Sequence, residues 1–303
     1  MHRSTRAAMM ASVLVIAGAL PAMLPAQRQP FSAPQLSELR RAATLVPGSA
    51  PLAIHVVSLN PFRLPLATLV EGGAAELVDA AMPVFQIRFP RGWITVDAAL
   101  DRELVPKSTT FSDVQHASIQ YALRDARLAV VTHEHDDHVA GVIRSPHLAA
   151  VQQHTLLTRA QVQSLRTTPN NPLLKLDSAT AARYVVIDYD PYLPIAPGVV
   201  LIKAAGHTPG SQMVYVRLAS GAEIVLAGDV AWHTSGVVTQ RQKPDSSTRD
   251  FGGEDRTAVA EELRWLKELT SSNVTVVISH DQAVIRRLIA RGVLHDGFDL
   301  KRK

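Results

Sequence analysis

The sequence predicts a layered α/β protein. Strand-like and helix-like segments alternate along most of the chain. Hydrophobic residues fill 47% of the 303 positions, enough to bury a sizeable core. The clusters richest in His and Asp follow directly on apolar strand-like runs, where loops on a rigid sheet carry chemistry.

The elements follow in order. Residues 1–26 read as an export signal: Arg3 and Arg6 form a positive start, Ala7 to Leu20 an apolar stretch, and Ala19, Ala22 and Ala26 offer cleavage points. An uncleaved membrane anchor is the other reading, and both put the folded part outside the cytoplasm, periplasmic or secreted. Residues 27–50 read as a linker with one short helix, capped by Ser32 and stopped by Pro47-Gly48. The folded domain is expected over residues 51–303. Its strands begin with LAIHVVSL from Leu52, PVFQIRF from Pro83 and GWITVDAAL from Gly92, the last two joined by a turn at Arg91-Gly92. Thr110 to Arg124 has helical spacing, and Leu128 to Val131 reads as a short strand. Leu156 to Leu165 is expected to be a helix. Further strands are expected at Tyr184–Ile187, Val199–Ile202, Met213–Arg217, Glu223–Leu226 and Val274–Ser279. Helices are expected at Glu254–Leu269 and at Gln282–Arg291, the latter closed by Gly292.

Composition excludes several functions. The chain has no cysteine, so disulfides, thiolate metal sites and cysteine nucleophiles are ruled out. The formal charge is +4, with no basic run interleaved with aromatics, which argues against a nucleic-acid partner.

Chemistry concentrates in four clusters. In Thr132-His133-Glu134-His135-Asp136-Asp137-His138, four metal-competent groups fall within six residues, too many for one ion to take from so short a loop. Two adjacent ions can share them. His207 lies in the rigid turn Gly206-His207-Thr208-Pro209-Gly210. Asp229 ends the run Leu226-Ala227-Gly228, where a carboxylate can bridge two cations. His280 follows the last strand, in Ser279-His280-Asp281. Glu134, Asp136 and Asp281 are candidates to orient ring N–H groups, or are exposed charges.

With these four clusters in this order, the sequence resembles the metallo-β-lactamase superfamily: HEHDDH matches its HxHxDH pattern, and GHTPGS, AGDV and SHD match its later motifs. The resemblance spans about Pro51 to Ile289. It implies a four-layer αββα sandwich with the site at one edge of the sheets. It also implies two zinc ions per chain, or other divalent metals, with His133, His135 and His207 on one, Asp137, His138 and His280 on the other, and Asp229 on both. Two such ions about 3.5–4 Å apart deprotonate a bridging water that attacks a carbonyl. Asp137 is then both ligand and catalytic proton carrier.

The expected substrate is a small molecule, a lactone or ester of the kind that N-acyl homoserine lactone hydrolases open. A β-lactam is the alternative, and a non-catalytic metal- or ligand-binding protein is the alternative of another class. One departure stands out: those lactone hydrolases carry a Tyr three residues after the bridging Asp, where this chain has Trp232. His233 and Tyr192 are candidate replacements. The polar segment 240–253 is expected to border the substrate entrance, with Arg241, Lys243 or Arg249 offered to an anionic group. A membrane partner is expected only if residues 1–26 stay uncleaved.

Overall fold

The computed structural model describes residues 30–105 and 110–301. The expected export signal lies outside the described residues. Among them, no helix is long and apolar enough to cross a membrane.

Two sheets face each other. In the first run β1 (Ala53–Pro65), β2 (Leu77–Arg88), β3 (Trp93–Val96), β4 (Leu128–Val130), β5 (Thr155–Thr158) and β6 (Val185–Ile187). The second holds β7 (Tyr192–Ala196), β8 (Val199–Lys203), β9 (Gln212–Arg217), β10 (Glu223–Leu226) and β11 (Thr275–Val277). β12 (His295–Asp296) returns to the first sheet, parallel to β1. The orders are β12-β1-β2-β3-β4-β5-β6 and β11-β10-β9-β8-β7.

Period-two patterning makes the layers. On β8, Val199 and Leu201 face the other sheet while Val200 and Ile202 face outward; on β9 Val214 and Val216 alternate with Met213 and Tyr215 in the same way. The inward set meets Ile54, Val56, Phe85, Ile87 and Val96 of the first sheet in one core. The outward set of the second sheet packs on the helix Arg256–Ser271, through Val259, Leu263 and Leu266. The first sheet's other face is covered by the helices Asp113–Asp125, Asp136–Ile143 and Arg159–Thr167. Helix, sheet, sheet, helix is the expected αββα sandwich.

Several expectations need correction. Residues 31–50 do not behave as a linker. The helix Leu36–Ala42 is present, but Leu39 is fully buried on the outer face of the second sheet, and Trp265 Nε1 donates to the Pro34 carbonyl at 3.0 Å. The strand expected to run to Leu100 stops at Val96, because Asp97 (φ 65°) and Ala99 (φ 55°) take left-handed backbone. The expected helix at Leu156–Leu165 splits in two. Its buried start pairs between β4 and β6 as β5, and a capping box at Thr158 and Gln161 opens the helix Arg159–Thr167. β7 was not expected: it contains Pro194 and pairs only with β8, and an edge strand tolerates that proline.

Candidate metal centre

The centre lies where strands end. β4 runs parallel to β3 and delivers Thr132 to His135 into a loop. His135 occupies the position just before the helix Asp136–Ile143, so Asp137 and His138 sit in its first turn. The sequence pattern hides this helix because it is buried on nearly every side, with no polar face to betray its period. Gly141 lets it press on the loop after β3, where a Cβ would come 2.2 Å from the Ala98 carbonyl oxygen. His207 stands on the turn between β8 and β9. Asp229 follows β10, and His280 follows β11. Gly228 has φ +56° and passes 3.1 Å from the Thr132 side chain, measured from an ideal Cβ, which brings the Asp229 loop against the His133 loop.

All seven expected residues converge. His135 Nδ1 is 3.1 Å from both His133 Nε2 and His207 Nε2. Asp229 Oδ1 is 3.3 Å from His138 Nε2, and its Oδ2 is 3.2 Å from His280 Nε2. Asp137 Oδ2 is 3.5 Å from His138 Nε2 and 3.4 Å from His280 Nε2. Asp229 Oδ2 also faces the first group, 3.9 Å from His133 Nε2 and 3.7 Å from His207 Nε2. Asp229 thus stands between a three-histidine group and a group of two histidines and Asp137. Asp137, with its side chain 23% exposed, is the one most open to solvent.

This donor set suits a cation. Zinc–nitrogen bonds of about 2.0–2.1 Å put tetrahedral nitrogens about 3.4 Å apart, close to the spacing of the three-histidine group. His138 Nε2 and Asp229 Oδ1 are buried without a hydrogen-bond partner, a costly state for polar atoms that a metal would relieve.

The far ring nitrogens are fixed. His138 Nδ1 donates to Asp97 at 2.9 Å, His207 Nδ1 to Glu254 at 2.5 Å, His280 Nδ1 to the Ala81 carbonyl at 2.9 Å, and His133 Nδ1 to the Thr132 hydroxyl at 3.2 Å. Each leaves Nε2 as a lone pair facing the centre. Burial, then His138, holds His133 well below the usual histidine range; burial and the Lys243 ammonium do the same for His207. Neutral imidazole is the form that binds metal. The other end differs. Burial opposes charge on His138 and His280, yet the carboxylates around them raise both. Burial likewise opposes the charge on Asp229, but His280, His138 and His133 hold it well below the usual carboxylate range. The Asp-rich end attracts positive charge.

No protein-family model and no curated protein matches the chain. Solved structures do. One is an N-acyl homoserine lactone hydrolase with the product N-hexanoyl-L-homoserine at its catalytic metal centre: 14% identity, 78% of this chain and 96% of that one covered, TM-score 0.59. Another is a dizinc quorum-quenching lactonase: 14% identity, 77% and 90% covered, TM-score 0.57. A third is a hydrolase in the β-lactamase superfamily: 13% identity, 77% and 91% covered, TM-score 0.51.

The chain has the metallo-β-lactamase fold.

Within this fold, other expected residues fall differently. Glu134 accepts from the Thr208 hydroxyl, Asp136 from Asn170 and Asn171, and Asp281 caps the helix Gln282–Ala290; among the described residues, none of the three hydrogen-bonds to the ring of His133, His135, His138, His207 or His280. Asp97 and Glu254 hold His138 and His207, and the sequence reading missed both. Lys243 is not free for an anion. It is buried, 2.6 Å from Glu254, and donates to the Asp229 carbonyl. Arg241 and Arg249 are exposed. Trp232 Nε1 donates to Asp229 Oδ2 at 2.7 Å, so it orients the shared carboxylate. His233 caps the helix Thr234–Thr239, and Tyr192 packs on the second sheet's outer core.

A pocket of about 540 Å³ opens beside His135 and His207. Phe251, Gly252 and Gly253 form part of its wall, so segment 240–253 borders the centre.

Proposed function

We propose that this protein is an exported dinuclear zinc hydrolase acting on the carbonyl of a small lactone or ester. The observation that carries the reading is the placement of Asp229 between two groups of donors, His133, His135 and His207 on one side and Asp137, His138 and His280 on the other. These residues would hold one ion each side, with Asp229 shared. When bound, such a pair supplies an acidified water and a Lewis acid for the carbonyl.

The remaining work falls to the chain. Thr132, Asp97, Glu254 and the Ala81 carbonyl aim the rings, and Trp232 aims Asp229. The Asp137 carboxylate is the donor most open to solvent, which supports a role for it in taking a proton at Oδ2 and passing it to the leaving oxygen. The pocket beside His135 takes the rest of the substrate. The solved lactonases of this fold support the lactone choice, and residues 1–26 support export to the periplasm or medium.

The test is direct. Protein purified with zinc present is assayed for metal and turned over with lactones, aryl esters, thioesters, phosphodiesters and β-lactams, with and without chelator. About two ions per chain and chelator-sensitive opening of lactones or esters are expected. A metal-replete protein inert on the whole panel refutes the hydrolase reading.

A further inference from the structure

The three-histidine group is assembled from two sheets. His133 and His135 follow β4 of the first sheet, and His207 stands on the turn between β8 and β9 of the second. Yet His135 Nδ1 lies 3.1 Å from the Nε2 of both its neighbours. The core between the sheets is apolar. Apolar contact is non-directional, so it does not by itself fix such a spacing. Zinc needs its donors held to within about 0.2 Å.

Two buried glutamines cross from sheet to sheet at this end, Gln161 at 0% and Gln212 at 2% exposure. Gln161 lies on the helix that follows β5. Its Nε2 donates to the Val131 carbonyl at 2.9 Å and to the Gly210 carbonyl at 3.0 Å. Gln212 opens β9. Its Nε2 donates to the same Val131 carbonyl at 2.7 Å, and its backbone N–H to the Thr132 carbonyl at 2.8 Å. Val131 stands two residues before His133, and Gly210 three after His207. Both amides are oriented from behind. The Thr158 N–H donates to Gln161 Oε1 at 2.9 Å, and the Tyr189 hydroxyl to Gln212 Oε1 at 2.7 Å. Each Nε2 is thereby turned toward the carbonyls. Gly210 packs so close that a Cβ there would strike Gln161. Among the described residues, neither glutamine side chain hydrogen-bonds to Asp137, His138, Asp229 or His280.

We propose that Gln161 and Gln212 are positioning residues for the three-histidine group. They bolt the His207 turn to the loop of His133 and His135 and preset the gap that a divalent cation fills. The proposal rests on the metal-centre reading and not on turnover.

Zinc is titrated into wild type, Gln161→Met and Gln212→Met, which keep side-chain length and lose the amide. Histidine ring nitrogens are followed by NMR with isotope-labelled histidine, affinity by chelator competition, and folding by circular dichroism. Each variant is expected to bind zinc at His133, His135 and His207 about 10–100-fold more weakly, while His138 and His280 load at the wild-type zinc concentration. A merely structural role would weaken both groups together. Equal weakening of the two groups, or none, in a folded variant overturns the proposal. A second arm needs no mutation. In wild type without zinc, the side-chain amide protons of both glutamines are expected to resist solvent exchange as well as they do with zinc. Fast exchange there overturns the proposal even if both variants fail to fold. Wild type that takes no zinc at these histidines refutes the metal-centre reading and the proposal with it. Wild type that loads both groups while the folded variants match it refutes the proposal alone.

Discussion

The Lys243 ammonium sits 2.6 Å from the Glu254 carboxylate, and the same carboxylate oxygen takes the Nδ1 proton of His207. Both side chains are 1% exposed. The two residues bracket the segment that carries Phe251 into the pocket wall. They tie its ends to the centre, Lys243 through the Asp229 carbonyl and Glu254 through His207.

Removing either partner leaves a buried charge alone. Glu254→Ala and Lys243→Met are each expected to cost about 3–5 kcal/mol of folding stability, read by urea denaturation. Glu254→Gln keeps the shape but loses the charge that orients His207. Its zinc affinity is expected to fall about 10–100-fold in chelator competition. Unchanged affinity would refute the orienting role.

Asp229 stands between the two groups of donors. Asp229→Ala is expected to drop metal content well below two ions per chain and to abolish hydrolysis. Trp232→Phe removes one hydrogen bond to a charged carboxylate, worth about 1.5–3 kcal/mol. It should weaken metal binding while keeping the fold, checked by metal analysis beside circular dichroism. Asp229→Ala protein that holds both ions and works would end the shared-ligand reading.

Glu262 gives a pH signature beside the His207 turn, which it holds through the Gly206 N–H. Burial pushes its carboxyl up to about 8, against the Gly206 N–H that it accepts at 2.9 Å. An unfolded Glu titrates near 4.5. Between those values the folded state holds the extra proton. The stabilisation is therefore full below about 4.5 and is lost as pH rises through about 8, on the order of 5 kcal/mol in all. Glu262→Gln should flatten that slope in denaturation series from pH 5 to 8. A wild-type curve already flat there would contradict it.

The residues that converge at the centre were legible because most of them are local: four lie within six residues, and each remaining one follows a strand-like run. Asp97 and Glu254 were not, because their histidine partners stand 41 and 47 residues away and only the fold joins them. Asp97 also hid inside an apolar pattern that continues past the true strand end, since sequence period does not register the left-handed backbone at 97 and 99. Lys243 read as a surface cation because nothing local marks a lysine whose charge is met eleven residues on by Glu254. The layer order was legible from the alternation of elements; the pairing of β12 with β1, across most of the chain, was not.

The segment before Pro51 provides the last test. The helix Leu36–Ala42 buries Leu39 and Ala42 against Ile202, Met213 and Trp265, and Phe31 packs edge-on to the Trp265 ring at 5.7 Å. Arg40 makes a paired contact with Glu223 on β10, but half of the Arg40 side chain is in water, so that pair adds little. The apolar contact should dominate. Leu39→Ala is expected to cost about 2–5 kcal/mol by leaving a cavity under the helix, while Arg40→Ala costs under about 1 kcal/mol. Both are read by urea denaturation. If Leu39→Ala is as mild as Arg40→Ala, the segment is a tether after all, and the outer face of the second sheet is closed by the helix Arg256–Ser271 alone.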